Sequence, residues 1–471
     1  MTKKLSFIIA MLSVVFTLSA KRISETVAYS KATKFMPETG QYMSRSGSSV
    51  TLAHKDANYY VYNYPNGGFV IVSGSDLTDE ILGYSKTGTF NKKDIPENMK
   101  SFLQSYSDEI DYAEKNNING KSVKSRSSDS KTNIEPLIKS KWDQGYPYNL
   151  YCPEINGQKT LTGCVATAMA QIVAYHKSKT NPSGFHTYNN REINLDTCTI
   201  NYENLCITYT GNETKEQIHE IAKLMKVCGY TVDMSYGINA SSTNTANIKT
   251  ALINYFDYSN DAKWICRHTY NNQDEWEDDI YNSLKNSNPV PYRAKKANRE
   301  GHAFVCDGYE NGYYHINWGW GGFCDGYFKL SALYVNGEDY TSKIYGENDY
   351  MGVHCAIINL HPNVLNTNKN SDSINPNTTY TVNESNIVIE YINNSLYTGS
   401  VKYGLLAVNE QNDTTALSTK QEMIESEKSI IESVSISELN LNEGLTTLIP
   451  VIYYNDTIKR ISEKDIYVAC T

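Results

Sequence analysis

Residues 301–322 read GHAFVCDGYENGYYHINWGWGG, and this stretch is the best single guide to the fold. His302 opens one apolar, strand-like run, and Asn317 closes another, directly before Trp318. We expect the two runs to form neighbouring strands that bring an imidazole and a side-chain amide together. An imidazole and an amide do not make a complete reactive site, so we expect a partner elsewhere in the chain.

The partner is predicted within residues 161–178, LTGCVATAMAQIVAYHKS. Apolar residues recur there at helical spacing and predict a buried stripe: Val165, Ala168, Met169, Ile172 and Val173. Thr162 and Gly163 precede the helix and place Cys164 at its N-terminus. The positive partial charge at that end favours the thiolate, which is the nucleophilic form of cysteine. On this local pattern alone, an inert buried cysteine is the competing interpretation.

The spacing of three residues favours the reactive interpretation. His302 lies 138 residues after Cys164, and Asn317 lies 15 residues further on. Papain-like proteases have a cysteine on an N-terminal helix and a histidine and an asparagine about 130–150 residues downstream. The imidazole keeps the thiol ionised, and the amide oxygen fixes the tautomer of the ring. Trp318 is expected to cover the asparagine–histidine hydrogen bond and to exclude water from it.

A donor for the oxyanion of the reaction intermediate is predicted in residues 141–149, KWDQGYPYN. Gln144 stands before a glycine in a turn-like context. Its side-chain amide and the backbone N–H of Cys164 would form a two-donor oxyanion hole. The competing interpretation of Gln144 is an ordinary surface glutamine.

Three motifs together resemble the streptopain family of secreted bacterial cysteine proteases, which are distant relatives of papain. They are DQGYPYN (143–149), TGCVATAMAQIVAYH (162–176) and GHAFVCDGYENGYYHINWGWGGFCDGYF (301–328). A fourth stretch, GGFVIVSGSDLTDEILGYSKTGTF (67–90), is similar to the propeptide of the family. The resemblance implies these catalytic roles: Cys164 as nucleophile, His302 as general base and acid, Asn317 as the residue that orients His302, and Gln144 in the oxyanion hole.

The resemblance also implies substrate-contacting positions and a mode of regulation. Trp318 is expected as a shield at the cleft, and residues 236–245, YGINASSTNT, resemble a loop of the cleft. Ser242 and Gly301 fall at substrate-contacting positions. An inhibitory propeptide is expected, cut away near residues 121–136 by the enzyme itself. The expected partners are therefore protein or peptide substrates and the chain's own propeptide, and no cofactor or metal is expected.

The expected fold class is α+β, with four segments along the chain. The papain-like protease domain would combine a helical half with an antiparallel β half. Polar, Ser- and Lys-rich residues at 116–133 predict a linker, and residues 366–379 predict another. The expected segments are a signal peptide at 1–20, a propeptide with its linker at 21–133, the protease domain at 134–365 and a C-terminal β-sandwich accessory domain at 366–471.

The N-terminus and the composition predict an exported globular protein. Met1–Lys4 is basic, Leu5–Leu18 is almost entirely apolar and Ser19–Ala20 is small, which is typical of a secretory signal peptide. The apolar run is shorter than a membrane-spanning helix, so no membrane span is expected. A net charge of −9 without a basic run argues against nucleic acid as a partner. We expect the protein to be secreted, periplasmic or at the surface of a bacterium.

The ten cysteines and the other histidines leave alternatives open. The cysteines lie at irregular spacing without CxxC pairs, so most are expected to be small buried residues, while disulfides remain possible. His315 lies two residues before Asn317 and is a rival to His302 as the base. Besides a cysteine endopeptidase, the residues are compatible with a protease-fold binding protein that has lost activity, or with an acyltransferase using the same cysteine and histidine.

Overall fold

The computed structural model divides the chain into two compact units, Met1–His361 and Pro362–Thr471. It describes residues 22–35, 50–121, 131–177, 182–270, 272–295, 301–334, 344, 354–363, 380–382, 386–392, 399–408, 414–424, 429–439, 441, 444–454, 457–460 and 466–470. The predicted signal peptide, residues 122–130 of the first linker and the second linker lie outside these residues. Among the described residues, no helix is both long and apolar enough to cross a membrane.

The N-terminal region, residues 22–121, packs two helices on a small antiparallel sheet. Its elements are α1 (Glu25–Lys34), β1 (Thr51–Lys55), β2 (Tyr59–Asn63), β3 (Phe69–Ser73), β4 (Ile81–Ser85) and α2 (Glu97–Asn116). Helix α2 buries one face through residues at helical spacing, including Phe102, Tyr106 and Ile110. Asn117 ends this helix in the left-handed conformation that asparagine tolerates.

The central region, residues 131–361, begins with a helical half. Helix α3 (Cys164–His176) lies between the short hairpins β5–β6 (Glu154–Ile155 and Gln158–Lys159) and β7–β8 (Phe185–Tyr188 and Arg191–Asn194). Helices α4 (Lys215–Thr231) and α5 (Asn247–Phe256) follow and share a buried apolar cluster with α3. Thr214 and Gln217 form a reciprocal capping box, which explains why α4 begins there.

The β half of the central region continues the N-terminal sheet. Its elements are β9 (Lys263–Cys266), α6 (Gln273–Lys285), β10 (Val290–Lys295), β11 (Gly301–Glu310), β12 (Tyr313–Asn317), β13 (Gly326–Phe328) and β14 (His354–Ile358). One ten-stranded sheet runs in the order β1-β2-β3-β4-β13-β12-β11-β10-β14-β9. Tyr327 pairs with Tyr84, and Phe328 pairs with Gly83, so the N-terminal region is joined to the central region strand to strand.

The second unit is built from strands. A three-stranded sheet contains β15 (Tyr380–Val382), β16 (Asn386–Ile392) and β19 (Ser429–Ser435). A five-stranded sheet contains β17 (Gly399–Val408), β18 (Thr414–Ile424), β20 (Gly444–Tyr454), β21 (Thr457–Arg460) and β22 (Ile466–Cys470). Ile387 and Ile389 of the first sheet share a buried cluster with Leu405 and Leu448 of the second. Two sheets enclosing one core form a sandwich, as expected for this part of the chain.

The α+β fold class is confirmed, with a helical half, an antiparallel β half and a β-rich C-terminal unit. The division into units falls between His361 and Pro362. The finer boundaries at residues 20, 133 and 365 stay predictions.

Candidate active site

Cys164 is the first residue of α3, as the sequence predicts. Gly163 caps the helix with φ +88° and ψ 142°, a conformation that residues with a side chain rarely adopt. The Gly163 carbonyl oxygen accepts hydrogen bonds from the backbone N–H and the hydroxyl of Thr167, each at 3.1 Å. Cys164 is partly exposed, whereas residues 165–173 of the same helix are buried. The helix therefore presents one thiol at its positive end and anchors the rest of its length in the core.

Gly163→Ala is expected to displace Cys164. A Cβ at this position would come within 3.0 Å of the Ser241 carbonyl oxygen and 2.8 Å of the Met234 sulfur. Because backbone cannot yield as a side chain can, we expect the helix start to shift and kcat/KM for a peptide substrate to fall about 100-fold.

Gly184→Ala is the matched control for this prediction. Gly184 has the same φ of +88°, but a Cβ there would meet nothing within 4 Å. Both variants carry backbone strain of about 1–3 kcal/mol, measurable by thermal unfolding, but only Gly163→Ala should lose activity. Equal activity in the two variants would show that the contact with Ser241 does not position the thiol.

Strand β11 brings His302 to the helix start. The backbone N–H of Ala303 lies 3.4 Å from the sulfur of Cys164 and points to it, and His302 is the preceding residue. His302 pairs with Ala294 across the sheet and is partly exposed. The structure thus joins Cys164 and the strand position of His302, although 138 residues separate the two in the chain.

Asn317 lies at the end of β12, opposite Val305 of β11. Its side-chain oxygen accepts hydrogen bonds from the Gln171 amide at 3.0 Å and from the Gly319 backbone N–H at 3.0 Å. Its side-chain nitrogen donates to the Ser140 carbonyl oxygen at 2.9 Å. Both lone pairs of the oxygen are therefore engaged, and a hydrogen bond from His302 requires one of these donors to give way.

Trp318 is fully buried beneath the N-terminal region. Its ring packs on Phe304 at a centroid distance of 4.8 Å and on Phe102 of α2 at 5.7 Å. Its indole N–H donates to the Cys324 carbonyl oxygen at 2.9 Å. The ring therefore forms part of the core in this form of the chain.

Gln144 and Ser242 lie on loops that converge on the residues before Cys164. The backbone N–H of Thr162 donates to the Gln144 carbonyl oxygen at 3.1 Å, and Gln144 is only 7% exposed, unlike an ordinary surface glutamine. The Ser241 hydroxyl donates to the Leu161 carbonyl oxygen at 2.7 Å, which fixes the exposed Ser242 nearby. Gly301 is the first residue of β11, next to His302.

His315 is held by an acidic partner of its own. Its Nδ1 lies 2.6 Å from an Asp307 carboxylate oxygen. Burial lowers the pKa of His315, but the charge and hydrogen bond of Asp307 outweigh it and raise the pKa above the usual value. The second Asp307 oxygen accepts the Ile138 backbone N–H at 2.9 Å. Through Asp307, these contacts link β11 and β12 to the segment before α3.

Sequence reasoning did not single out Gln171, Asp307 or Asn98. Gln171 is a buried amide on an otherwise apolar helix face, and Asp307 is a buried carboxylate within a strand. A polar residue inside an apolar run of the sequence could have identified both, because buried polar groups need hydrogen-bond partners. Asn98 of α2 donates to the backbone oxygens of Trp318 at 2.6 Å and Ala303 at 3.3 Å. These acceptors directly follow Asn317 and His302 in the chain.

Two of the cysteines form a disulfide, and the others whose side chains are described are free. Cys266 of β9 is bonded to Cys355 of β14. The free cysteines are Cys152, Cys164, Cys198, Cys206, Cys228, Cys306 and Cys324. Burial raises the pKa of Cys152 to about 11 and that of Cys324 to about 12, so these thiols are poor nucleophiles. The described residues hold no group of three or more His, Cys, Asp or Glu arranged for a metal ion.

Two family models match the chain. The peptidase C10 family model matches residues 142–328, which include Cys164, His302, Asn317 and Gln144. The Spi protease inhibitor model matches residues 20–110, which include the four strands of the N-terminal region and most of α2. The N-terminal region thus resembles a protease inhibitor and is followed by a protease.

Individual relatives agree with the family models. Streptopain from Streptococcus pyogenes serotype M28 is 36% identical over 336 residues, which cover 65% of this chain and 81% of that protein. Thiol protease/hemagglutinin PrtT from Porphyromonas gingivalis is 28% identical over 348 residues, which cover 67% of this chain and 39% of that protein. A solved fragment of prointerpain A from Prevotella intermedia has a TM-score of 0.57 at 27% identity and covers 66% of this chain and 98% of that fragment.

These matches confirm the resemblance predicted from the motifs. Three findings indicate the same class of enzyme: the α+β, papain-like fold, the inhibitor-like N-terminal region and the 36% sequence identity to streptopain. The chain belongs to the peptidase C10 family and is a streptopain-like cysteine endopeptidase.

Proposed function

We propose that the chain is the latent precursor of an exported endopeptidase, which hydrolyses peptide bonds through an acyl-enzyme on Cys164. The observation that carries this proposal is the approach of β11 to the start of α3, where the Ala303 N–H lies 3.4 Å from the Cys164 sulfur. Export rests on the signal-peptide pattern at residues 1–20.

The proposed reaction assigns one role to each residue of the site. His302 takes the thiol proton, and the Cys164 thiolate attacks the peptide carbonyl carbon. The Cys164 backbone N–H and the Gln144 amide stabilise the resulting oxyanion. His302 then returns the proton to the leaving amine, and water activated by the same ring hydrolyses the thioester. Asn317 orients the ring in the active form.

Substrate contacts are proposed at the rim of this site. Ser242 follows Ser241, which bonds to Leu161 before the start of α3, and Gly301 is the first residue of β11, next to His302. Trp318 would join them once α2 no longer covers its ring. We also propose that the C-terminal unit is an accessory domain.

The N-terminal region is proposed to keep the precursor inactive as an intramolecular inhibitor, and it is called the propeptide from here on. Asn98 binds backbone oxygens immediately after both His302 and Asn317, and Phe102 packs on Trp318. Helix α2 thus packs against the segments that directly follow His302 and Asn317. The Asn317 oxygen accepts hydrogen bonds from Gln171 and Gly319 in this state.

Asn98→Ala is expected to weaken this inhibition. The substitution removes both hydrogen bonds to the central region, which contribute about 1 kcal/mol each. Because the two contributions sum to about 2 kcal/mol, the uncleaved precursor should hydrolyse a small peptide substrate about 30-fold faster than the parent. Gln104→Ala is the matched control, because the Gln104 side chain is exposed and donates a hydrogen bond to Asp108 of the same helix. Equal latency of the two variants would contradict the role of Asn98.

Hydrolysis of casein under reducing conditions tests the proposed function. We expect cleavage that iodoacetamide stops by alkylating one thiol per molecule, at Cys164. Binding of casein without cleavage would instead support an inactive protease fold. Transfer of the acyl group to an added amine, without hydrolysis, would support a transferase.

A further inference from the structure

Helix α2 carries a fully buried carboxylate well away from Asn98. Glu109 is 1% exposed and lies about three turns, or about 16 Å, further along the helix axis. Its oxygens accept four contacts: Arg267 Nη1 at 2.8 Å, the Ser331 hydroxyl at 2.8 Å, the Ala332 N–H at 2.6 Å and the Leu333 N–H at 3.1 Å. All four donors belong to the central region, and the propeptide contributes the carboxylate.

Glu109 and Arg267 carry opposite charges and are both buried. Arg267 is 4% exposed, so both charges of the pair are removed from water. A buried ion is tolerated only where a partner and hydrogen bonds replace its hydration. The arginine, the hydroxyl and two backbone N–H groups supply these to the Glu109 carboxylate.

The donors are held in place by the central region itself. Arg267 follows Cys266, which is tied to Cys355 by the disulfide, and its Nη2 lies 3.5 Å from the Gln273 side-chain oxygen. The Ser331 hydroxyl oxygen also accepts the Leu333 N–H at 3.2 Å, which bends the backbone so that consecutive N–H groups converge. Consecutive backbone N–H groups that converge in this way form an anion-binding concavity.

We propose that Arg267, the Ser331 hydroxyl and the N–H groups of residues 332 and 333 form a carboxylate-binding site, the Arg267 cradle. In the precursor its ligand is Glu109, and this contact anchors α2 so that Asn98 stays against the catalytic strands. The anchoring role rests on the proposed function, whereas carboxylate binding by the cradle does not. The cradle is thus a recognition site outside the catalytic cleft, specific for a negatively charged carboxylate.

Acetate provides a direct probe, because Glu109→Ala removes a CH₂–COO⁻ group of the same size. The full chain with Cys164→Ala, which cannot process itself, is the background. We expect Glu109→Ala to lower the midpoint of thermal unfolding by several degrees, and acetate to restore part of it in a saturable manner. Acetamide and sodium chloride at equal concentrations should not do so. Adding Arg267→Met should remove the acetate response.

An equal response to acetamide, or an acetate response that persists in Arg267→Met, would overturn the proposal. If the Glu109→Ala chain does not fold, Glu109→Gln and Arg267→Met form a double-mutant cycle by the same measurement. We expect the double variant to lose less stability than the sum of the two single variants. Additive losses would contradict the cradle.

Latency tests the anchoring role separately. In the chain with an intact Cys164, Glu109→Ala should speed the first appearance of casein hydrolysis by at least about tenfold. Acetate should delay the appearance of casein hydrolysis again in the Glu109→Ala chain. Asp111→Ala is the control, because Asp111 is an exposed residue of the same helix that pairs with Arg22 of the propeptide. If acetate stabilises Glu109→Ala but the latency of this variant is unchanged, the cradle binds a carboxylate and its anchoring role is refuted.

Discussion

The Cys164→Ala chain is expected to be inactive and to persist at full precursor length. The sulfur is the only atom of this residue that can attack a carbonyl, and methyl cannot replace it. Removal of a nucleophile that acts together with its base costs about 10⁴-fold or more in kcat. Because cleavage of the propeptide is proposed to be autocatalytic, the variant should also fail to mature. Mass spectrometry of the purified protein after incubation under reducing conditions measures both effects.

The control separates loss of chemistry from loss of structure. A trace of wild-type enzyme added to the Cys164→Ala precursor should cut it to the mature length, because the cleavage site is intact. Efficient maturation of the variant without any added protease would refute self-processing. Casein hydrolysis by the variant at the wild-type rate would refute Cys164 as the nucleophile.

The second large effect is expected for His302→Ala. Without the imidazole, neither the thiol proton nor the leaving amine has a proton carrier, and we expect kcat/KM to fall about 10⁴-fold. The variant precursor should unfold at nearly the temperature of the parent, because His302 is partly exposed at the second position of β11. Peptide hydrolysis by protein matured with a trace of wild-type enzyme is the measurement.

His315→Gln is the matched control, since an amide can still bond to Asp307. We expect this variant to unfold at a lower temperature, because the fully buried Asp307 carboxylate exchanges an imidazole whose pKa it raises for a neutral amide. Its folded fraction should retain activity near that of the parent. If instead His315→Gln abolishes activity and His302→Ala preserves it, the two histidines have been assigned in the wrong order.

The local elements of the site were predictable from sequence because their signals are local. The apolar spacing after Cys164 predicts α3, and Gly163 marks its start. The strand-like runs around His302 and Asn317 became the antiparallel pair β11–β12. Pairing of these strands with the helix start could be inferred only from the spacing and from the family resemblance.

The state of the site was not predictable, since it depends on contacts between distant residues. Asn317 accepts a hydrogen bond from Gln171, which lies 146 positions away, and no local sequence pattern predicts that contact. A register shift between Cys306 and Gly308 places His315 against Asp307, which strict alternation along a strand does not foresee. Glu109 lies on the buried face of a helix, and only the structure reveals Arg267 opposite it.

The central claim is that one imidazole holds the Cys164 sulfur as a thiolate. The rate of iodoacetamide labelling as a function of pH tests it most directly, with the labelled residue identified by mass spectrometry. In the matured wild-type enzyme we expect Cys164 to react rapidly well below pH 8.5, the ordinary pKa of a cysteine thiol, and in matured His302→Ala we expect the profile to move to clearly higher pH. Identical profiles in the two proteins, or first labelling at another cysteine, would contradict the account.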